Sequence, residues 1–132
     1  MEVKKIREIF EVLRGTFTGD LYTDDLWRMI YATDASAYRE VPFGVARPRH
    51  AEDIKALITF SRKHSIPLIP RTAGTSLAGQ VVGNGLIVDV SRYMTEILEI
   101  NKEEHWVRVQ PGVILDELNK VLEPYGLFFN HF

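Results

Sequence analysis

Cysteine is absent from the 132 residues of this chain. Disulfide bonds, thiolate metal sites and cysteine nucleophiles are therefore excluded, and the composition fits a cytoplasmic protein. No apolar run approaches the roughly 20 residues that a membrane-spanning helix needs. The net charge is only −2, so the sequence indicates neither a nucleic acid nor an anionic membrane surface as a partner.

Two common phosphate-binding motifs are also missing. The Gly-x-Gly-x-x-Gly pattern of a dinucleotide-binding turn does not occur in the chain. Gly74 and Gly79 have the spacing of a nucleoside-triphosphate loop, but Gln80 and Val81 stand where that loop needs lysine and a hydroxyl residue. The four histidines are scattered without ligand spacing, so no metal site is predicted.

What the sequence does contain is a glycine- and hydroxyl-rich loop after a short β-type run, Leu68-Ile69, which is predicted to stop at Pro70. Glycines let successive backbone N–H groups turn toward one point, which forms an anion-binding concavity. Hydroxyl groups add donors, and an arginine adds a planar cation suited to phosphate. A plain surface connection is the alternative, since loops attract these residue types anyway. The residues predicted to hold a diphosphate are Pro70, Arg71, Thr72, Ala73, Gly74, Thr75, Ser76, Gly79 and Gln80.

The sequence around this loop predicts a compact α/β unit. A helix begins near Glu52 and Asp53 and has basic residues in its last turn, which matches the helix dipole at both ends. Its apolar face is predicted to consist of Ile54, Leu57 and Ile58. After the loop, residues 86–90 form a second strand-like run. Strand, helix, strand, glycine loop and strand is an order typical of nucleotide-binding domains.

The remaining elements carry no predicted chemistry. Apolar spacing predicts a helix over residues 3–13, and Asp24 lies in the cap of a second short helix. Residues 97–100 and 106–109 are predicted to pair as a hairpin. A last helix over residues 113–122 is predicted to bury four apolar side chains, which are Ile114, Leu118, Val121 and Leu122.

Residues 31–126 resemble the first half of the FAD-binding domain of vanillyl-alcohol-oxidase-type (PCMH-type) flavoproteins. Among these the chain is most similar to D-lactate dehydrogenases and to the flavin subunit of glycolate oxidase. The resemblance is carried by four pieces in family order, residues 32–36, 47–53, 70–79 and 109–127. It implies an α+β fold whose first subdomain has a small parallel sheet flanked by helices, followed by the start of a second subdomain. The division is predicted as an N-terminal helical segment, residues 1–30, and the flavin domain from residue 31 to residue 132.

By this resemblance the loop would wrap the FAD pyrophosphate, with backbone amides of residues 73–76 as the main donors and Gly79 close to the cofactor. Pro48 and Gly112 would border the cofactor groove. Family members that attach flavin covalently through this loop carry a histidine at the position of Thr75. Noncovalent FAD is therefore expected here.

The resemblance also implies an activity, the oxidation of a small-molecule 2-hydroxy acid such as D-lactate or glycolate, with the flavin accepting a hydride. The family's domain extends further than residue 132, so the chain is expected to be a fragment that holds part of a cofactor site, lacks a substrate site and is inactive alone. Its apolar end, which includes Phe128 and Phe129, would favour self-association. Two alternatives stay open, another oxidoreductase of the same fold and a noncatalytic nucleotide-binding or interaction module.

Overall fold

The chain folds into helices around two small sheets in a computed structural model that describes residues 3–75, 79 and 83–130. Four strands form one sheet and two form a separate hairpin, which confirms the predicted α+β fold. The elements in chain order are α1 (Val3–Arg14), β1 (Asp20–Tyr22), α2 (Asp25–Ile30), β2 (Gly44–Arg47), α3 (Ala51–His64), β3 (Leu68–Arg71), β4 (Leu86–Asp89), β5 (Ile97–Asn101), β6 (Trp106–Val109) and α4 (Leu115–Leu122), followed by a 3-10 helix over Glu123–Tyr125.

The larger sheet has the strand order β1-β2-β4-β3. Strand β4 pairs in parallel with β2 on one side and with β3 on the other, while β1 runs antiparallel to β2. Every residue of β4 is buried. A strand covered on both faces reads as a continuous apolar run, which is why this segment is Leu-Ile-Val before its aspartate.

Strand β3 lies at the edge of the sheet and continues through Pro70 to Arg71. The prediction that this run stops at Pro70 is therefore wrong. Proline cannot donate a ladder hydrogen bond, but an edge strand tolerates it because one side of the strand has no partner. The extension matters for the site, since it places Arg71 in register with Asp89 of β4.

One face of the sheet packs against α1 and α3. The rings of Phe10 in α1 and Phe60 in α3 stack with their centroids 5.3 Å apart. The buried cluster spans both helices and the sheet, so α1 belongs to the same core as the strands. Its members are Ile6, Phe10, Leu13, Phe17, Leu21, Ala46, Leu57, Phe60, Ile66, Leu86, Val88, Val90 and Met94.

The buried face of α3 differs from the predicted one. Leu57 is buried as predicted, but its buried neighbours along the helix are Asp53 and Phe60, and Ile58 is 47% exposed. Residues 53, 57 and 60 form a stripe at spacings of four and three. Ile54 is half-buried and packs against the core, so the prediction is wrong only for Ile58, and it passed over Asp53 and Phe60.

The smaller elements mostly follow the sequence pattern. The Asp24 side chain accepts a hydrogen bond from the backbone N–H of Trp27 and caps α2, and β5 and β6 pair as the predicted hairpin. Helix α4 buries Leu118 and Leu122. The prediction that Ile114 and Val121 are also buried is wrong, since both are exposed. Ile114 is the residue before the helix, and Val121 falls outside the Leu118–Leu122 stripe.

Asp53 is a buried charge that links α3 to the segment before β1. Its carboxylate accepts hydrogen bonds from the backbone N–H groups of Thr18 and Arg49, each at 2.9 Å, and from the Thr18 hydroxyl. Burial by itself would raise the pKa of this carboxyl. The hydrogen bonds outweigh it and hold the pKa of Asp53 below its usual value.

Replacement of Asp53 by asparagine should lower the free energy of unfolding at pH 7 by about 1–3 kcal/mol, because charge-assisted hydrogen bonds are lost from a buried site. A carboxyl with a lowered folded-state pKa stabilises the fold above its unfolded-state pKa, and this contribution disappears as the pH falls through the folded-state pKa. Urea unfolding of both chains should therefore show a difference that shrinks below about pH 4.

The matched control is Glu52→Gln, which removes the same charge from the same first turn of α3. The Glu52 side chain is exposed, so its loss should change stability by less than about 0.5 kcal/mol. A difference between wild type and Asp53→Asn that is equally large at pH 3 and pH 7 would contradict the assignment.

Candidate functional site

The predicted diphosphate loop begins at the carboxyl edge of the parallel strands. Strands β2, β3 and β4 run in the same direction, so residues that follow them emerge at the same edge. Pro48 follows β2, the loop follows β3, and Val90 follows β4. Ligands of open α/β sheets bind at this edge. The structure thus brings the loop to a position that suits a binding site.

Gly74 has the backbone conformation that the loop prediction requires. Its φ angle is +70°, a region that side chains other than glycine rarely adopt. A Cβ atom at this position would lie 2.5 Å from a terminal guanidinium nitrogen of Arg71. The Arg71 side chain therefore folds back over Gly74, and a larger residue there would push the guanidinium away.

A segment before β2 holds this loop in place. The backbone N–H of Ala35 donates a 3.0 Å hydrogen bond to the Gly74 carbonyl oxygen. Gly79, which also has a positive φ of +69°, lies so close to the Tyr38 ring that a Cβ atom would be 2.7 Å from it. We call residues 31–38 the loop support. Sequence reasoning noted part of it for its family resemblance but assigned it no contact with the loop.

Within the loop support, Asp34 closes a local turn. Its carboxylate accepts hydrogen bonds from the backbone N–H of Ser36, at 2.7 Å, and from the Ser36 hydroxyl. This is the geometry of an Asx turn.

Arg71 is held by contacts on both its backbone and its side chain. Its carbonyl oxygen accepts from the N–H of Val90, and its guanidinium donates to the carbonyl oxygen of Tyr31 at 3.3 Å. The same guanidinium stacks on the Tyr31 ring, 5.0 Å from the centroid. The cation that the sequence predicted for phosphate binding is thus fixed next to Gly74.

Tyr31 and Asp89 are site residues that sequence reasoning missed. The Tyr31 hydroxyl donates to the Asp89 carboxylate, which is 5% exposed and also accepts from the backbone N–H and hydroxyl of Ser91. Burial, and then the hydrogen bond and negative charge of Asp89, raise the pKa of Tyr31 to about 12. An aspartate at the end of the apolar run Leu-Ile-Val was the signal that could have pointed to this pair.

Charges of alternating sign follow one another across the sheet edge. Asp20 of β1 is in register with Arg47 of β2 and forms a salt bridge with it at 2.9 Å. Asp89 of β4 is in register with Arg71 of β3. Because Ala46 pairs with Val88, the following residues, Arg47 and Asp89, are neighbours too. The half-buried Asp20 and the buried Asp89 therefore each have a cation on a neighbouring strand, which offsets their desolvation.

Some of the other predicted site residues are exposed, some are buried, and some lie outside the described residues. Thr72, Ala73 and Thr75 are exposed at the start of the loop, whereas Ser76 and Gln80 lie outside the described residues. Pro48 is fully buried beside α3. Gly112 is buried against the backbone, because a Cβ atom there would lie 2.3 Å from the Val90 carbonyl oxygen. That contact explains the glycine by packing, and a role for Pro48 or Gly112 at the cofactor stays a prediction.

Open clefts are found at a different place, against α4 and the residues that follow it. One, of about 270 Å³, lies between the β5-β6 hairpin and the chain end and is lined by residues such as Trp106, Leu122 and Phe128. Another, of about 520 Å³, lies beside it along α4. Neither includes a residue of the predicted loop. The diphosphate site at the loop stays a prediction.

The part of the chain that the structure describes contains no candidate metal site and no helix that could span a membrane. In residues 3–75, 79 and 83–130, no three histidine, aspartate or glutamate side chains lie close enough to hold a metal ion. None of the helices described there is long and apolar enough to cross a bilayer. His50 instead lies 3.2 Å from the Thr18 hydroxyl.

Known proteins match this chain over most of its length. It is 43% identical over 126 residues to D-2-hydroxyglutarate dehydrogenase of Pseudomonas putida and 44% identical over 122 residues to that of Escherichia coli. These matches cover 92% and 90% of this chain but only 12% of each relative. A glycolate oxidase subunit GlcD of Bacillus subtilis is 36% identical over 77% of the chain and 22% of its own length.

Solved structures give the same fold. An alkyldihydroxyacetonephosphate synthase aligns with a TM-score of 0.77 and 22% identity, over 91% of this chain and 27% of its own. A carbohydrate oxidase from Microdochium nivale aligns with a TM-score of 0.74 and 20% identity, over 94% and 27%. A model of the FAD binding domain matches residues 42–132, which include the loop and all three parallel strands. The chain belongs to the FAD binding domain family.

Proposed function

We propose that this chain is the part of a flavin-dependent 2-hydroxy-acid dehydrogenase that holds the diphosphate of noncovalently bound FAD. The observation that carries the proposal is the identity of 43–45% to proteins named D-2-hydroxyglutarate dehydrogenase, over 86–92% of the chain. Other relatives are named D-lactate dehydrogenase and glycolate oxidase subunit. All these names refer to 2-hydroxy acids, and they make D-2-hydroxyglutarate the first substrate to test.

The described residues fit a diphosphate. Gly74 turns the loop backbone through a positive φ beside a planar cation, and Thr72, Ala73 and Thr75 next to it are exposed. Such a turn directs backbone N–H groups outward as an anion-binding concavity. We infer that residues 72–75 and Arg71 bind the two phosphates. Ser76, Gly79 and Gln80 would complete the loop.

The role of the protein at this site is to bind and orient. When bound, FAD supplies the oxidation chemistry by accepting the electrons of the substrate. The loop and Arg71 neutralise the diphosphate charge and fix its position relative to the sheet. The chain spans only about an eighth of the length of its first relatives. The substrate would be bound by other parts of the whole protein.

The activity can be tested directly in the whole protein. Purified enzyme should reduce an artificial electron-accepting dye when D-2-hydroxyglutarate, D-lactate or glycolate is added, and L-2-hydroxyglutarate serves as the control for stereochemistry. Absence of dye reduction with every 2-hydroxy acid, in a preparation that contains flavin, would overturn the proposed reaction. In that case a noncatalytic FAD-binding module would be the better reading.

The flavin should be noncovalent and should be FAD. Thr75 has a hydroxyl where the covalent members of the family have a histidine, so no histidyl bond can form in this loop. Acid precipitation of the whole protein should leave the yellow colour in the supernatant, and chromatography of that supernatant should identify FAD. Colour that stays with the pellet, or FMN in the supernatant, would contradict the expectation.

Substitution of Gly74 by valine should abolish FAD binding while the fold is retained. A side chain at this position would clash with Arg71 and would block the approach of the diphosphate. Gly126→Val is a matched control. Gly126 has the same φ of +70° but no atom within 4 Å of its Cβ position, so the backbone strain is equal and the collision is absent. FAD content after purification and thermal unfolding decide the test. Equal FAD content in both variants would show that the diphosphate binds at another place in the protein.

Loss of the cation should have a smaller effect. Arg71→Ala should weaken FAD binding by about 1–3 kcal/mol, the value of a charge-assisted hydrogen bond. Arg92→Ala removes the same charge from an exposed position and should leave the affinity unchanged. Calorimetric titration of FAD into flavin-free protein measures both. An Arg71→Ala variant that binds FAD as tightly as wild type would exclude Arg71 from the site.

A further inference from the structure

The strongest unassigned feature of the chain is the way in which Arg71 is held. Its guanidinium donates to the Tyr31 carbonyl oxygen and also stacks on the Tyr31 ring. The contacts come from the backbone and the side chain of one residue, which is 40 positions earlier in the chain. Tyr31 therefore contributes to both the position and the orientation of the guanidinium.

Tyr31 is itself fixed at its far end. Its hydroxyl donates to Asp89, and the other carboxylate oxygen of Asp89 is taken by Ser91. Asp89 cannot move easily, since it belongs to the central strand and is buried. A rigid path therefore runs from the central strand through the phenol to the arginine that folds over Gly74.

We propose that Tyr31 is a positioning residue for the cofactor, which holds the Arg71 guanidinium ready to bind phosphate before FAD arrives. The proposal rests on the function proposed above. A long arginine side chain loses rotamer freedom when it binds a ligand, and this loss opposes binding. In this protein the Arg71 side chain loses its rotamer freedom when the chain folds, before FAD binds. Removal of the phenol hydroxyl should release the ring, let Arg71 move away from Gly74 and weaken FAD binding.

The arrangement can be tested first without FAD. In wild-type protein one phenol should titrate near pH 12, in line with the raised pKa of Tyr31, and Tyr31→Phe should remove this component. The charged groups near the phenol are Asp89, Arg47 and Arg71. Because Asp89 raises the pKa, the Asp89→Asn variant should titrate at lower pH, with the amide oxygen still able to accept the hydrogen bond. Phenolate absorbance after a rapid pH jump measures both before the chain unfolds.

The second test is a double-mutant cycle on FAD affinity in the whole protein. Tyr31→Phe should raise the Kd of FAD about tenfold, the effect of one well-placed hydrogen bond. In the Arg71→Ala background, Tyr31→Phe should raise the Kd of FAD less than about twofold, because the guanidinium that Tyr31 positions is absent. A residue that acts only through general stability would cause the same loss in both backgrounds.

Tyr93→Phe is the matched control. Tyr93 also donates its hydroxyl to a carboxylate, that of Asp20, at 2.7 Å, but it does not hold Arg71. This variant loses an equivalent bond and should bind FAD within about twofold of wild type.

The outcomes separate the two proposals. Wild-type protein that binds no FAD would overturn the proposed function, and the titration would still report on the Tyr31–Asp89 contact. A second case is that wild type binds FAD and that Arg71→Ala weakens FAD binding. If Tyr31→Phe then binds FAD as tightly as wild type, or loses the same affinity in both backgrounds, only the positioning role of Tyr31 is overturned. Loss of the pH 12 component in Tyr31→Phe together with a coupled loss of affinity would support it.

Discussion

The site depends above all on the parallel pairing of β4 with β2 on one side and β3 on the other. This pairing brings three strand ends to one edge of the sheet and places Asp89 next to both Arg47 and Arg71. A buried carboxylate is tolerated in a central strand only where donors and cations surround it, and here the tyrosine and serine hydroxyls supply donors while the neighbouring strands supply cations. The loop that follows β3 takes its starting point and direction from this arrangement.

The loop support explains why a glycine-rich segment can have a defined shape. Glycines give the backbone the freedom to adopt positive φ angles, but the same freedom makes a loop costly to order. The hydrogen bond from Ala35 to Gly74, the contact of Tyr38 with Gly79 and the stacking of Tyr31 on Arg71 each remove part of that freedom when the chain folds. A preformed loop has less entropy to lose when it binds a diphosphate.

The fold and the proposed substrate class are supported by different degrees of sequence similarity. Solved structures with only 20–22% identity share the fold. A shared fold does not imply a shared function. The relatives named for 2-hydroxy acids are 28–45% identical to this chain, and the more similar of them direct the proposed substrate class.

The sequence by itself determined the types of the main elements, the hairpin and the loop with its positive-φ glycine, because apolar spacing, caps and glycine act over a few neighbouring residues. It did not determine which stripe of α3 is buried, since that depends on Phe10 stacking on Phe60 and on donors from Thr18 to Asp53. Nor could it show that Tyr31, Arg71 and Asp89 meet. Arg71 and Asp89 are 40 and 58 positions from Tyr31 along the chain. The parallel register places Arg71 next to Asp89, and the packing of the segment after α2 brings Tyr31 to both.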